Sequence, residues 1–185
     1  MNTDGASIRE SIEQVELRPA RVADAPHMAA LVTSQRTFLA PFDPPRPEAF
    51  FTVDGQRREL EQLELAALAG SRHRFLIWLA GDLVGWVTAS NVVRGPFQSA
   101  NLGYAVAREV NGRGIATYAV GHVCDWAFGE GGLHRLEAGT LVDNVRSQRV
   151  LEKNGFERIG VARRYLYIDG DWRDHVLFQR IAESG

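Results

Sequence analysis

Residues 111–117 read Asn-Gly-Arg-Gly-Ile-Ala-Thr and lie between a β-rich stretch and an amphipathic segment. The β-rich stretch predicts a strand over 98–106. The segment after the glycines predicts a helix, whose apolar face is formed by Ala116, Val120, Val123 and Ala127. Small residues at such a turn let the backbone approach a ligand, and the free N–H groups at a helix start point toward an anion. The stretch therefore fits a pyrophosphate, although two glycines in a strand-to-helix turn also arise for purely conformational reasons.

Two common phosphate-binding loops do not account for this turn. A P-loop is excluded, because the sequence has no Gly-Lys-Ser/Thr. A dinucleotide-binding fingerprint fits poorly, because Thr117 stands at its third glycine position and a run of antiparallel strands precedes the turn.

The segments around the turn predict an α+β fold with a mixed, mostly antiparallel sheet. Turn residues at Gly81-Asp82, Gly95-Pro96 and Asp169-Gly170 separate runs of β-forming residues. Strands are predicted over 15–19, 74–80, 83–93, 98–106, 134–142, 156–168 and 172–181.

Helices are predicted before this sheet and inside it. Asp24, with Pro26 behind it, is a candidate N-terminal cap for a helix through about Gln35. The Pro-rich stretch 41–47 cannot continue that helix. Residues 48–69 predict one or two helices broken near Asp54-Gly55, and 144–154 predict a short amphipathic helix.

Composition indicates one globular domain, residues 15–185, after a flexible arm, residues 1–14. Apolar residues make up 45% of the 185 and charged residues 24%. The net charge of −2, without a run of five or more like charges, disfavours direct nucleic-acid binding. No apolar stretch reaches the roughly 20 residues of a membrane span, and the N-terminus shows no signal segment, so a cytoplasmic protein is expected.

Cysteine and histidine usage argues against disulfide and metal chemistry. Cys124 has no partner in the chain and is predicted to be a small core residue. His27, His73, His122 and His134 are scattered without the spacing of metal ligands, so no metal is expected.

Two motifs resemble the signature of the GNAT (GCN5-related N-acetyltransferase) superfamily. Asn111-x-x-Gly114-x-Ala116 resembles its Gln/Arg-x-x-Gly-x-Gly/Ala loop, although Asn111 departs from the usual first residue. Asp143-Asn144-x-x-Ser147 followed by Val150 through Phe156 is similar to its second half. The similarity narrows to the RimJ-type ribosomal-protein alanine N-acetyltransferases through four stretches, residues 90–95, 102–104, 151–157 and 165–177.

The resemblance implies a GNAT fold whose sheet is splayed in the middle. It also implies direct transfer of an acetyl group from acetyl-CoA, the cosubstrate, to an uncharged amine. The N–H of Val106 is the candidate donor to the developing oxyanion, and Ser147 the candidate proton donor to the leaving thiolate. The residues implied in cofactor binding are Tyr104, Val106, Asn111, Gly112, Arg113, Gly114, Ile115, Ala116, Thr117, Asn144 and Ser147.

Several of these roles have alternatives. Ser147 can be a solvated helix serine, and Asn144 can be the N-cap of its helix, alone or together with a cofactor contact. Leu151 stands where many members have a tyrosine, and Leu166 where the RimL branch has a glutamate base. No base is named. His175 could relay a proton, or it could serve packing or an ion pair.

The sequence does not identify the amine that accepts the acetyl group. A protein N-terminal α-amine, favoured on a ribosomal protein, is the leading hypothesis; a small amine such as an antibiotic, polyamine or amino sugar is the second. The third is a non-catalytic acyl-CoA-binding domain, motivated by the two missing side chains. The loop 41–47 and the helices after it are expected to wall the acceptor side, and either a monomer or a homodimer is compatible with the sequence.

Overall fold

A computed structural model describes residues 12–183, so most of the predicted N-terminal arm lies outside the described residues. Within this range a seven-stranded sheet has the order β1-β2-β3-β4-β5-β7-β6. The strands are β1 Val15–Pro19, β2 His73–Leu79, β3 Asp82–Val93, β4 Ser99–Val106, β5 Arg135–Leu141, β6 Glu157–Ile168 and β7 Asp171–Ile181. Among the strand pairs of the described residues, only β4–β5 is parallel. The predicted class and strand set are confirmed, and β1 lies at one edge of the sheet.

Helices cover both faces of this sheet. They are α1 Ala25–Ser34, α2 Arg36–Leu39, α3 Val53–Leu68, α4 Ile115–Phe128 and α5 Val145–Lys153. Successive residues of β2 point to opposite layers: Leu76 and Trp78 pack with the residues of α1 and α3, and Ile77 packs with those of α4. This double coverage explains why β2 is apolar without alternation.

The predicted break near Gly55 is wrong in position. A single turn of 3-10 helix, Glu48–Phe51, ends at Thr52, and α3 then runs through Gly55 without interruption. Thr52 caps α3, because its side-chain oxygen accepts a hydrogen bond from the N–H of Gly55 at 3.0 Å. The cap overrides the weak helix propensity of the Asp-Gly pair.

Asp24 occupies the N-cap position of α1 as predicted, but its side chain makes no cap hydrogen bond there. It accepts instead from the Arg21 N–H at 2.9 Å and forms an ion pair with Arg18 at 2.6 Å. Burial raises the pKa of this carboxyl, but the hydrogen bonds from Arg18 and from the Arg21 backbone outweigh burial and leave it below its usual value. Asp24 thus ties the start of α1 to β1.

The sheet opens between β4 and β5. These strands pair only over Ser99–Asn101 and Arg135–Glu137, after which β4 continues for five residues without β5 as a neighbour. The opening confirms the splayed sheet that the resemblance implied. It leaves one edge of β4 unpaired, and four residues separate the end of this strand from the glycine turn, which begins at Asn111.

Gly85 of β3 allows the backbone of β4 to approach closely at the same place. It pairs with Val106, and a Cβ at Gly85 would lie 2.4 Å from the carbonyl oxygen of Ala105 and 3.1 Å from the Cα of Val106. Both contacts involve backbone, so a side chain at this position must push the two strands apart.

We expect Gly85→Ala to lower the free energy of unfolding by about 2 kcal/mol, the usual cost of an overpacked core. For a domain of this size that corresponds to a melting temperature about 4–8 °C lower in calorimetry. Gly160→Ala on β6 is the matched control, because a Cβ there meets nothing within 4 Å. Equal melting temperatures for wild type and Gly85→Ala would show that the strands separate without cost.

Candidate active site

The glycine turn that follows β4 has the backbone that its sequence predicts. Gly112 and Gly114 have φ values of +79° and +77°, and Gly114 is the N-cap of α4. Both glycines are therefore required by the left-handed conformation, which costs other residues about 1–2 kcal/mol.

Five N–H groups at this turn and at the start of α4 are available to a ligand. The groups of Gly112, Gly114, Ile115, Ala116 and Thr117 donate to no acceptor within residues 12–183; the first helical bond of α4 runs from Tyr118 N–H to Gly114 O at 3.0 Å. Several amide donors before a helix start form a good environment for phosphate oxygens. The residues present thus fit a pyrophosphate group.

Val106 presents its N–H to the open side of β4. The next N–H, of Ala107, donates to the carbonyl of Val84 on β3 at 2.7 Å. Because successive N–H groups of a strand point to opposite edges, the Val106 N–H points away from β3, toward the side from which β5 has diverged. That is the orientation an oxyanion donor at the cleft requires.

Ser147 reaches the same region from the first turn of α5. Its Oγ lies 2.7 Å from the hydroxyl of Tyr104 on β4, and that hydroxyl lies 3.0 Å from the Ser147 carbonyl oxygen. The single phenol proton is donated to one of these two oxygens at a time. Asn144 caps α5, because its Oδ1 accepts from the Ser147 N–H at 3.2 Å. The cap does not prevent a further contact to a ligand.

The Tyr104 phenol remains protonated near neutral pH. Burial raises its pKa, and the hydrogen bond with Ser147 lowers it by less. The phenol therefore stays a hydrogen-bond donor to Ser147. Sequence reasoning placed both residues at the cofactor but did not foresee this contact, because nothing local links positions 43 residues apart.

His175 lies near the opening between β4 and β5, on the face of the sheet opposite to α4. It pairs with Leu141 at the end of β5, while its neighbour Val176 packs into the layer under α4. Its Nδ1 is 3.1 Å from the carbonyl oxygen of Arg173, and its ring centre is 5.3 Å from that of Tyr165. The whole residue is 3% exposed, so packing is one of its roles, and a role in proton transfer stays a prediction.

The other singled-out positions have ordinary surroundings. Leu151 and Cys124 are fully buried, which confirms the core prediction for the cysteine, and burial raises the Cys124 pKa to about 11. Leu166 is partly exposed on β6. Within residues 12–183 no three metal-binding side chains are grouped to hold an ion, and no helix in that range is long and apolar enough to cross a membrane.

Divergent parallel strands beside a turn of unbonded amides define a protein that can hold an extended, anionic ligand across its sheet. Comparison with known proteins identifies the family of this protein. The family model described as an acetyltransferase (GNAT) domain matches residues 14–157. A protein of Bacillus subtilis described as probable N-acetyltransferase YjcK is 39% identical over 163 residues, which cover 87% of this chain and 90% of that protein.

Two solved structures have closely similar folds. The ribosomal-protein-S5-alanine acetyltransferase from Vibrio fischeri has a TM-score of 0.90 at 34% identity, covering 92% of this chain and 94% of that one. Mycobacterium smegmatis RimJ, in complex with CoA-disulfide, has a TM-score of 0.87 at 36% identity, covering 91% and 82% of the two chains. The chain therefore belongs to the GNAT family and is an N-acetyltransferase.

Proposed function

We propose that this enzyme transfers the acetyl group of acetyl-CoA directly to the N-terminal α-amine of a protein, and that this protein is a ribosomal protein. The observation that carries the proposal is the unpaired edge of β4, followed after one turn of 3-10 helix by the glycine turn with its unbonded N–H groups. A thioester cofactor needs both features, a cradle for its pyrophosphate and a strand edge for its pantetheine amides.

The turn residues bind the cofactor and thereby place the thioester. Acetyl-CoA supplies an activated acetyl group, and the residues proposed to hold its pyrophosphate are Gly112 through Thr117. The turn is remote from the reacting carbonyl. Binding there therefore contributes to catalysis mainly by holding the thioester close to the amine.

Val106 and Ser147 act at the carbonyl and at the sulfur. The Val106 N–H stabilises negative charge on the acetyl oxygen during attack by the amine. Ser147 donates a hydrogen bond toward the departing sulfur, and the Tyr104 hydroxyl fixes the position of its Oγ. The amine must lose one proton and the thiolate must gain one, so the proton balance closes without an acyl-enzyme.

The choice of acceptor rests on the relatives. The Vibrio fischeri protein is named for the alanine of ribosomal protein S5, and its fold is similar over nearly the whole length of both chains. The exposed loop 41–47 lies in the segment we expect to wall the acceptor side.

The acceptor is tested by supplying purified enzyme and acetyl-CoA with peptides that copy ribosomal-protein N-termini. We expect release of free thiol with peptides that begin with alanine, and none with the same peptides already acetylated at the N-terminus. Antibiotics, polyamines and amino sugars assayed in parallel distinguish the small-amine alternative.

A cellular measurement decides the same question independently. Mass spectrometry of strains with and without the gene should show loss of N-terminal acetylation on at least one ribosomal protein. Unchanged acetylation of every ribosomal protein would refute the proposed acceptor. Tight CoA binding without turnover on any amine would instead favour a non-catalytic domain.

A further inference from the structure

Gln35, the residue after α1, connects the helices on one face of the sheet to the end of β4. Its side chain is buried, with the whole residue 5% exposed. Oε1 accepts from the Arg108 N–H at 2.9 Å, and Nε2 donates to the Glu109 carboxylate at 3.1 Å. A backbone N–H can only donate and a carboxylate accepts, so these partners fix the orientation of the amide.

The turn that Gln35 contacts separates the two halves of the cofactor site. This turn of 3-10 helix, Arg108–Val110, begins two residues after Val106 and ends directly before Asn111. Its own bonds are few: Val110 N–H to Ala107 O and Asn111 N–H to Arg108 O, both at 3.2 Å. The Gln35 side chain thus supplies the partner for an N–H that the turn itself leaves unbonded.

The residues on either side of Gln35 hold the segment after the Pro-rich loop. Thr33 Oγ1 donates to the carbonyl of Phe51 at 3.0 Å. Arg36 forms an ion pair with Glu48, and its guanidinium lies 4.2 Å from the ring centre of Phe51. Gln35 therefore lies between the β4 end and the expected acceptor wall, which is the loop 41–47 and the helices after it.

We propose that Gln35 is a positioning residue: its amide holds the end of β4, and with it the Val106 N–H, in a fixed position relative to the acceptor wall. The inference rests on the proposed acetyl transfer, but not on the identity of the amine. A neutral side chain with one acceptor and one donor is required there. Glutamate would still accept from Arg108 but would face the Glu109 carboxylate with like charge.

The test is a charge exchange between the two side chains. Gln35→Glu alone should lower kcat roughly tenfold, the loss expected for one buried donor and one new repulsion. Adding Glu109→Gln should recover most of that loss, because the new amide can donate to the glutamate. The assay uses whichever amine gives the highest rate with wild type, so a wrong acceptor does not affect it.

A control variant separates positioning from loss of stability. Asp24→Asn breaks the ion pair at the other end of α1, where Asp24 is also 5% exposed. It should lower the melting temperature while leaving kcat per folded molecule near the wild-type value. If Gln35→Glu lowered only the melting temperature, or if the double variant recovered no activity, the proposal would be wrong.

Amide hydrogen exchange provides a readout that needs no turnover. Gln35→Leu removes the acceptor, so the Arg108 N–H should exchange faster, while the Ala107 N–H bonded to β3 should keep its protection. Unchanged exchange at Arg108 would overturn the proposal even if every amine assay failed. The absence of turnover in wild type with any amine would instead count against the proposed function alone.

Discussion

Gly114→Val is expected to remove measurable CoA binding while the protein stays folded. Gly114 has φ +77° and is the N-cap of α4, and a β-branched residue resists this conformation. The backbone would rotate and turn the N–H groups of the first helical residues away from the pyrophosphate. Losing two charge-assisted hydrogen bonds of about 1.5–3 kcal/mol each corresponds to a Kd roughly 100-fold higher or more.

Calorimetric titration with CoA measures this effect, and the shift of the melting temperature on adding CoA provides a second measurement. Gly70→Val is the matched control: Gly70 has φ +67° after α3, and a Cβ there meets nothing within 4 Å. The control carries the same backbone penalty but should bind CoA normally. If Gly114→Val bound CoA as tightly as the control, the turn would not be the pyrophosphate cradle.

The strands, their hairpins and the glycine turn could be predicted because their signals are local. Two-residue turns join runs of β-forming residues, and each marks a hairpin without reference to the rest of the chain. Asp169-Gly170 is such a turn as predicted, whereas the turn predicted at Gly81-Asp82 lies one residue earlier, at Ala80-Gly81, because Asp82 already pairs with Leu79. Likewise, a helix that starts after two glycines exposes its first N–H groups whatever lies elsewhere.

The contacts that assemble the site could not be predicted, because they join distant segments. Gln35 and Arg108 are 73 residues apart, and no periodicity or motif connects a helix end with a turn after a strand. The strain at Arg164, with φ +48° in a bulge of β6, is similar: its N–H bonds to Asp174 Oδ1 across the hairpin. Such features follow from the packed structure and not from local propensity.

The sequence also could not decide between the catalytic and the structural reading of Ser147. A serine three residues after an N-cap is common in solvated helices, and the structure does show the Asn144 cap. What differs from that ordinary case is the Tyr104 hydroxyl at 2.7 Å from the Ser147 Oγ, at the open edge of the sheet. The contact fixes a hydroxyl that an exposed helix serine would leave free to rotate.

Ser147→Ala should therefore lower kcat by about 100-fold, the lower end of the effects for losing an acid at the leaving group, with little change in the Kd of CoA. Steady-state kinetics and CoA titration of the same preparation separate the two quantities. Ser147→Thr keeps a hydroxyl and should recover part of the rate. Wild-type turnover in Ser147→Ala would remove Ser147 from the mechanism.

Tyr104→Phe tests whether the Tyr104 hydroxyl acts only by positioning the Ser147 Oγ or contacts the reacting groups itself. Tyr104 acts through Ser147 if its hydroxyl only positions the Oγ, so Tyr104→Phe should lower kcat by a smaller factor, about threefold for one neutral hydrogen bond. In the double variant the second change should then add almost nothing to the loss from Ser147→Ala. Losses that multiply would mean that the phenol, kept protonated by burial, contacts the reacting groups by itself.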